Sequence, residues 1–285
     1  MELEADCPRH ASAPARPAGP ESVTWKLHRE VALLAGWGRA ILLQIAHPLI
    51  AQGVAEHSGF AAGSWDRARR LRRTLASMLA LTFGDPREVA RAALAINRIH
   101  DRVHGELPVA GGRFPARTAY SAHDPDLLAW VHVTLLDSFL QAYELFVGVL
   151  TDEERDRYCA EATRVEPLLG IPPGRLPLSH AALAHAVRSK LESGEIEVGS
   201  VARTLARQIL DPPLPALARP VFALVRLPAI GCLPPPVRRA YGFDWSTRQE
   251  RALSRIAATS RRVLPLLPAV VKHWPAARAA AARSK

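Results

Sequence analysis

The sequence predicts an all-α fold, a single helical domain, on three observations. Helix start and stop signals recur along the chain, alternating apolar runs bounded by turn residues are nearly absent, and 285 residues at 48% apolar and 22% charged content suffice for a sizeable core. The most apolar stretch, VALLAGWGRAILLQIAHPLIAQGV at 31–54, is long enough to raise the question of a membrane span. Arg39, Gln44, His47 and Pro48 argue instead for a buried helix broken near His47, because a charge at mid-span is costly and proline removes a helical donor.

The caps define the next elements. Ser64 caps a helix that ends at Gly84, and Asp85-Pro86-Arg87-Glu88 supplies the cap, the first-turn proline and the N3 glutamate of another, expected to run to Gly105. Asp124-Pro125 opens a helix to about Gly148, and Thr151-Asp152-Glu153-Glu154 starts one ending at Gly170. Between them, 105–123 is rich in Gly and Pro and reads as a long ordered loop. Further helices are expected at about 179–193, 197–210, 235–241 and 247–263. Residues 1–20 read as a disordered leader, 21–263 as the folded domain, and 264–285 as a basic, low-complexity tail whose final residues, WPAARAAAARSK at 274–285, are expected to be frayed or disordered.

The net charge of +10 raises the question of nucleic acid, but most of the excess, +8, lies after Glu250, beyond which no acidic residue follows. Of the 37 basic residues only Lys26, Lys190, Lys272 and Lys285 are lysine, and no aromatic interleaving or recognition helix accompanies them, so the expectation is no nucleic-acid partner. An anionic membrane surface is an alternative partner for the tail. Three cysteines, Cys7, Cys159 and Cys232, form neither a disulfide framework nor a zinc motif. With the acidic leader, which is the wrong order for a secretory signal, they point to a cytoplasmic protein.

Motifs for serine hydrolases, nucleotide binding and zinc proteases are missing, which leaves histidine as the residue type that stands out. His100 and His104, four residues apart on the expected helix 86–104, share a face and could ligate a metal or haem iron, or simply belong to a solvated stripe with Arg98, Asp101 and Arg102. His132, within the apolar LLAWVHVTLLDS, is expected to be buried with a hydrogen-bond partner. His47 beside Pro48 either takes up backbone groups that the proline frees or belongs to a site. Arg70 and Thr74 lie one turn apart with Arg73 beside them: either a solvated face, or a cation for a propionate or bound oxygen species with a hydroxyl donor. Glu56 is the acid best placed to act as a buried base.

Together, AILLQIAHPLIAQGVAEHS at 40–58, RLRRTLASMLALTFGD at 70–85, INRIHDRVHGELP at 96–108, DPDLLAWVHVTLLDSFLQAY at 124–143 and PPPVRRAYGFDWS at 234–246 resemble the MpaB-like oxygenase family, which includes the rubber oxygenase catalytic domain. The resemblance covers about residues 25–260 and implies a globin-like helical fold around a b-type haem, whose iron has one axial histidine. It further implies dioxygen activation for oxidation, or oxidative cleavage of a carbon–carbon double bond, in a small apolar substrate such as an isoprenoid. The family's Arg-x-x-x-Thr pair falls on Arg70 and Thr74, and its distal lysine falls on Arg73, a departure because a guanidinium does not replace an ammonium at an iron. The H-x-x-V-x-G stretch places the axial ligand at His100, with His104 as competitor, while Glu56 is the nearest match to the catalytic glutamate and His47 and His132 fall in pocket-wall motifs. Two other readings stand beside this one: a non-enzymatic helical protein whose tail meets a membrane or partner, and a non-haem metal site of His100, His104 and Glu56.

Overall fold

The computed structural model describes residues 18–57, 64–210 and 219–284, the side chains of 64–71 and 219–224 excepted, and it is an all-α domain. The helices form where the caps place them. Ser22 caps α1 (Val23–His28), and α2 (Leu34–Ile45) follows a short 3-10 turn. Pro48 then starts α3 (Pro48–His57), which leaves the 31–45 segment at 105°. Among the described residues no single helix is long and apolar enough to cross a membrane.

α4 (Ser64–Phe83) and α5 (Pro86–His100) are joined at Asp85, whose carboxylate accepts from the Arg87 and Glu88 amides while Glu88 reaches back to the Asp85 amide. α5 ends at His100, five residues before the expected Gly105. Turn hydrogen bonds from Arg102 N to Ile99 O and Val103 N to His100 O close it, and His104 enters strand β1 (His104–Glu106). This strand pairs antiparallel with β2 (Ala119–Ser121), His104 opposite Ser121, so the expected loop carries a small hairpin.

α6 (Pro125–Phe146) is capped by Asp124, and α7 (Asp152–Ala162) by the Thr151/Glu154 box. A 3-10 turn and α8 (Glu166–Leu169) complete the segment expected as one helix to Gly170. α9 (His180–Glu192), α10 (Ser200–Leu210), α12 (Pro235–Ala240) and α13 (Thr247–Val263) fall at their expected positions, while α11 (Arg219–Gly231) had no sequence signal.

The two ends of the chain differ from expectation. Residues 1–17 of the expected leader lie outside the described residues, and Ala18 is buried. The tail is folded: α14 (Ala269–Lys272) and α15 (Pro275–Arg283) follow a turn at 264–266, and Ala277 and Ala280 pack against Trp25 and Phe83. Arg283 donates to the Phe83 carbonyl, so an Ala-rich sequence that reads as low complexity has a buried face.

α6 is the centre of the core, with twelve buried residues that include Trp130, Phe139 and Tyr143. α2 crosses it at backbone distance. A Cβ on Gly36 would sit 2.5 Å from the Ser138 carbonyl oxygen, and one on Gly38 would sit 2.5 Å from the Ala229 side chain of α11. At that crossing Arg39, 3% exposed, meets Asp137 at 2.6 Å, donates to Ser138 Oγ at 2.7 Å and to the Cys232 carbonyl at 2.7 Å. One guanidinium thus ties α2, α6 and the end of α11.

Two histidines are buried in this frame. His28 lies between Thr82 Oγ1 at 3.1 Å and Tyr158 OH at 2.9 Å, and burial pulls its pKa down to about 4. His47 is 0% exposed at the α2–α3 break; burial first, then the charge of Lys190, brings it to about 4 against the raising effect of Glu195. Its Nε2 faces Glu195 at 3.4 Å rather than the backbone groups near Pro48, and the free Ala46 carbonyl accepts from the Glu197 amide instead. Cys159 and Cys232 are free.

Two predictions follow from this packing. Arg39→Met strands the Asp137 carboxylate and should cost about 3–5 kcal/mol in urea unfolding, whereas Arg39→Met with Asp137→Leu should recover a large part of the loss. His28 and His47 stay neutral in the folded protein down to about pH 4, but in the unfolded chain they protonate below about 6.5. The unfolded state therefore binds more protons between those values, so this stability is fully present above pH 6.5 and falls by a few kcal/mol as pH drops to 4. Urea titrations across that range should show the slope, and His28→Gln should flatten it.

Candidate functional site

α4, α5 and α6, with the ends of α1 and α3, enclose a cavity of about 1060 Å³. It is at the top of the size range of small-molecule pockets, roughly 300–1,000 Å³. Its walls are largely apolar, with Met78 and Leu81 from α4, Ile96 and Val103 on the α5 side, and Leu135 and Phe139 from α6. α4 is apolar on the face it turns inward and arginine-rich elsewhere, which is why one helix supplies both a wall and a rim.

The rim is cationic. Arg73, Arg98, Arg102 and Arg164 line the cavity with exposed side chains, and among the described residues none has a carboxylate partner. Glu161 also lines the cavity, but its carboxylate accepts from the Val23 and Thr24 amides at the start of α1. Thr74 lies beside Arg73 on the cavity wall, as its spacing suggests. Arg70 is within α4, and its side chain lies outside the described residues.

Four histidines reach the cavity, and their hydrogen bonds distinguish them. Thr82 Oγ1 donates to the Met78 carbonyl, so it accepts from His28 Nδ1–H, and Tyr158 OH then donates to His28 Nε2; both nitrogens are committed. His57 Nε2–H donates to the His104 carbonyl at 3.1 Å. His132 Nδ1–H donates to the Leu128 carbonyl at 3.0 Å, which leaves Nε2 as a lone-pair donor, and burial lowers its pKa. His100, the last residue of α5, has no hydrogen-bond partner for either ring nitrogen among the described residues, and its Nδ1 is completely buried. Burial, helped by the charges of His123 and His132, lowers its pKa to about 4, so at neutral pH it is an uncharged imidazole. The His123 ring lies 5.8 Å away, edge to face.

The structure separates the expected pair. His104 leaves the helix, its side chain is exposed and it does not line the cavity; only its carbonyl takes part, as the acceptor for His57. His47 likewise lies behind the cavity wall against Phe114, at 5.1 Å between rings. Glu56 is not the buried base expected: its side chain is 44% exposed, and it meets the cavity through Tyr120, whose phenol donates to its carboxylate. Tyr120 first, then Gln52 at 2.6 Å, hold the Glu56 carboxyl below its ordinary range. Burial, and then that carboxylate, push the Tyr120 phenol up, so it stays protonated and donating. Tyr120, His28 and the arginines at 98, 102 and 164 carry no local motif, since their roles arise only where distant segments meet.

Among the described residues no cluster of three or more His, Cys, Asp or Glu side chains is placed to hold a bare metal ion. The set His100, His104 and Glu56 is dispersed accordingly. No curated protein and no solved structure matches the chain. A protein-family model does, over residues 25–262, described as ER-bound oxygenase mpaB/B'/Rubber oxygenase, catalytic domain. The span takes in α3 to α8 and every cavity histidine, and the chain belongs to this family of oxygenase catalytic domains.

Proposed function

We propose that the cavity holds a b-type haem, with His100 as its protein ligand, and that the protein oxidises a small apolar substrate, such as an isoprenoid, with dioxygen. The observation that carries this reading is His100: an uncharged ring at the cavity wall with neither nitrogen committed, among neighbours whose nitrogens are largely taken. An iron carried by a porphyrin needs one protein ligand where a bare ion needs three or more, and the residues present fit the first requirement. The unpaired arginines at 73, 98, 102 and 164 fit the second, two carboxylates at the rim of an apolar slot.

A bound haem would supply the iron that activates dioxygen, and the chain's own residues account for the rest. Apolar walls exclude water and take up a hydrocarbon substrate by burial alone. His132, with its tautomer fixed by Leu128, presents an uncharged nitrogen to the interior. Tyr120 keeps its proton at the phenol oxygen and donates it to the Glu56 carboxylate, so the pair fixes a neutral hydroxyl at the cavity wall with its negative partner held toward solvent. Arg73 adds fixed positive charge on the α4 side of the cavity. With its free Cys159 and Cys232, the protein is assigned to the reducing cytoplasm as part of the same proposal.

His100→Ala should weaken hemin uptake by at least ~100-fold, as loss of an essential ligand does, while His104→Ala should stay within about twofold of wild type. The opposite order, or loss in His132→Ala alone, removes the ligand assignment. Tyr120→Phe should take up hemin normally but lower turnover of an apolar alkene by about tenfold with little change in KM, as loss of one positioned hydrogen bond does. An unchanged rate would assign Tyr120 a packing role only.

A further inference from the structure

The C-terminal segment carries an apolar surface of its own. Val263, Leu266, Val270 and Val271 are 43%, 83%, 60% and 56% exposed, so four of the nine large hydrophobic side chains exposed among the described residues fall within nine consecutive positions. A monomer scatters such residues singly, and a local concentration marks a contact surface.

The segment is held rigidly. Pro265 and Pro268 restrict its backbone, Leu267 N donates to Leu264 O and Val271 N to Pro268 O, and Lys272 Nζ reaches the Pro265 carbonyl at 3.5 Å. Its far end is anchored by the Trp274 amide on the Arg29 carbonyl and by His273 against Glu30 at 3.0 Å. An ordered loop loses little conformational freedom when its apolar side chains are buried in a partner.

Charge identifies the partner. Arg255, Arg261 and Arg262 precede the loop, Lys272 closes it, and no acidic residue follows Glu250. Glu30, which approaches from α1, is buried and occupied by His273 and Arg29. Ser260 Oγ donates to the Phe146 carbonyl, which brings the loop after α6 up to the end of α13. The acids that follow there, Asp152 and Glu154, are paired with Arg155 and Lys26, leaving Glu153. A second copy of this chain docking symmetrically would set these cations against their own equivalents. An anionic bilayer takes both components, cations at the headgroups and short apolar side chains below them.

We propose that the loop 263–272 is a peripheral docking surface for an anionic lipid bilayer. This rests on the C-terminal segment alone and is independent of the haem reading. The full chain should co-sediment with phosphatidylcholine vesicles that contain phosphatidylglycerol, and at least ~10-fold more weakly with phosphatidylcholine alone. Leu266→Glu with Val270→Glu should weaken binding at least ~10-fold without lowering the melting temperature, because both side chains are exposed. Arg261→Gln with Arg262→Gln should weaken it and reduce its salt dependence. The proposal is overturned if wild type ignores anionic vesicles, if the Leu266/Val270 variant binds as well as wild type, or if neutral and anionic vesicles bind alike. It also fails if wild type is a lipid-free dimer that the same variant turns into a monomer, which would assign the surface to self-association.

Discussion

The Arg39 guanidinium, buried where α2 crosses α6, is the interaction on which the rest of the architecture depends. A charge at 3% exposure is tolerable only because Asp137, Ser138 and the Cys232 carbonyl occupy its donors, and those partners come from two distant parts of the chain, α6 and the end of α11. Gly36 and Gly38 allow the approach, and the crossing fixes the orientation of α6. One face of α6 then belongs to the core while Leu128, Val131, His132, Leu135 and Phe139 reach the cavity. The same arginine that argues against a membrane span in the sequence is therefore the clamp that gives the cavity its back wall.

The cavity is a place where polar groups are few and mostly spoken for. Burial keeps His28, His100 and His132 uncharged, and hydrogen bonding then divides them: His28 is consumed by Thr82 and Tyr158, His132 keeps one nitrogen, and His100 keeps both. An orphaned buried nitrogen carries a desolvation cost that a native fold seldom leaves without cause. The rim adds charge, since among the described residues Arg73, Arg98, Arg102 and Arg164 line the cavity without a carboxylate partner. Unsatisfied donors and an unsatisfied ligand on one apolar slot are complementary to an amphipathic cofactor with anionic edges.

Much of the fold is legible in the sequence because capping is local. Asp85 with Glu88, Thr151 with Glu154 and Asp124 with Pro125 set helix starts within four residues of themselves. What escapes is set by distant partners. His104 leaves the helical pattern to pair with Ser121, and His28 finds Thr82 and Tyr158 far along the chain. α11 is masked by Pro220 and Pro228, which read as breakers, yet Pro228 lies inside the helix. The Ala-rich end of the chain lacks the contrast that marks an amphipathic helix, and Trp274, Ala277 and Ala280 order it only by meeting Trp25 and Phe83. Of the site, His100, Arg73 and Thr74 could be named from motifs, whereas Tyr120 could not, because only the fold brings it to Glu56.

The central claim is that a one-histidine cofactor site lies inside this helical frame. The most direct measurement is the absorption spectrum of the protein purified from haem-supplemented cells, oxidised and reduced, with iron and porphyrin content per chain. The account predicts a Soret band that shifts on reduction and about one iron and one porphyrin per folded chain. A folded, colourless protein that also takes up no added hemin would contradict it.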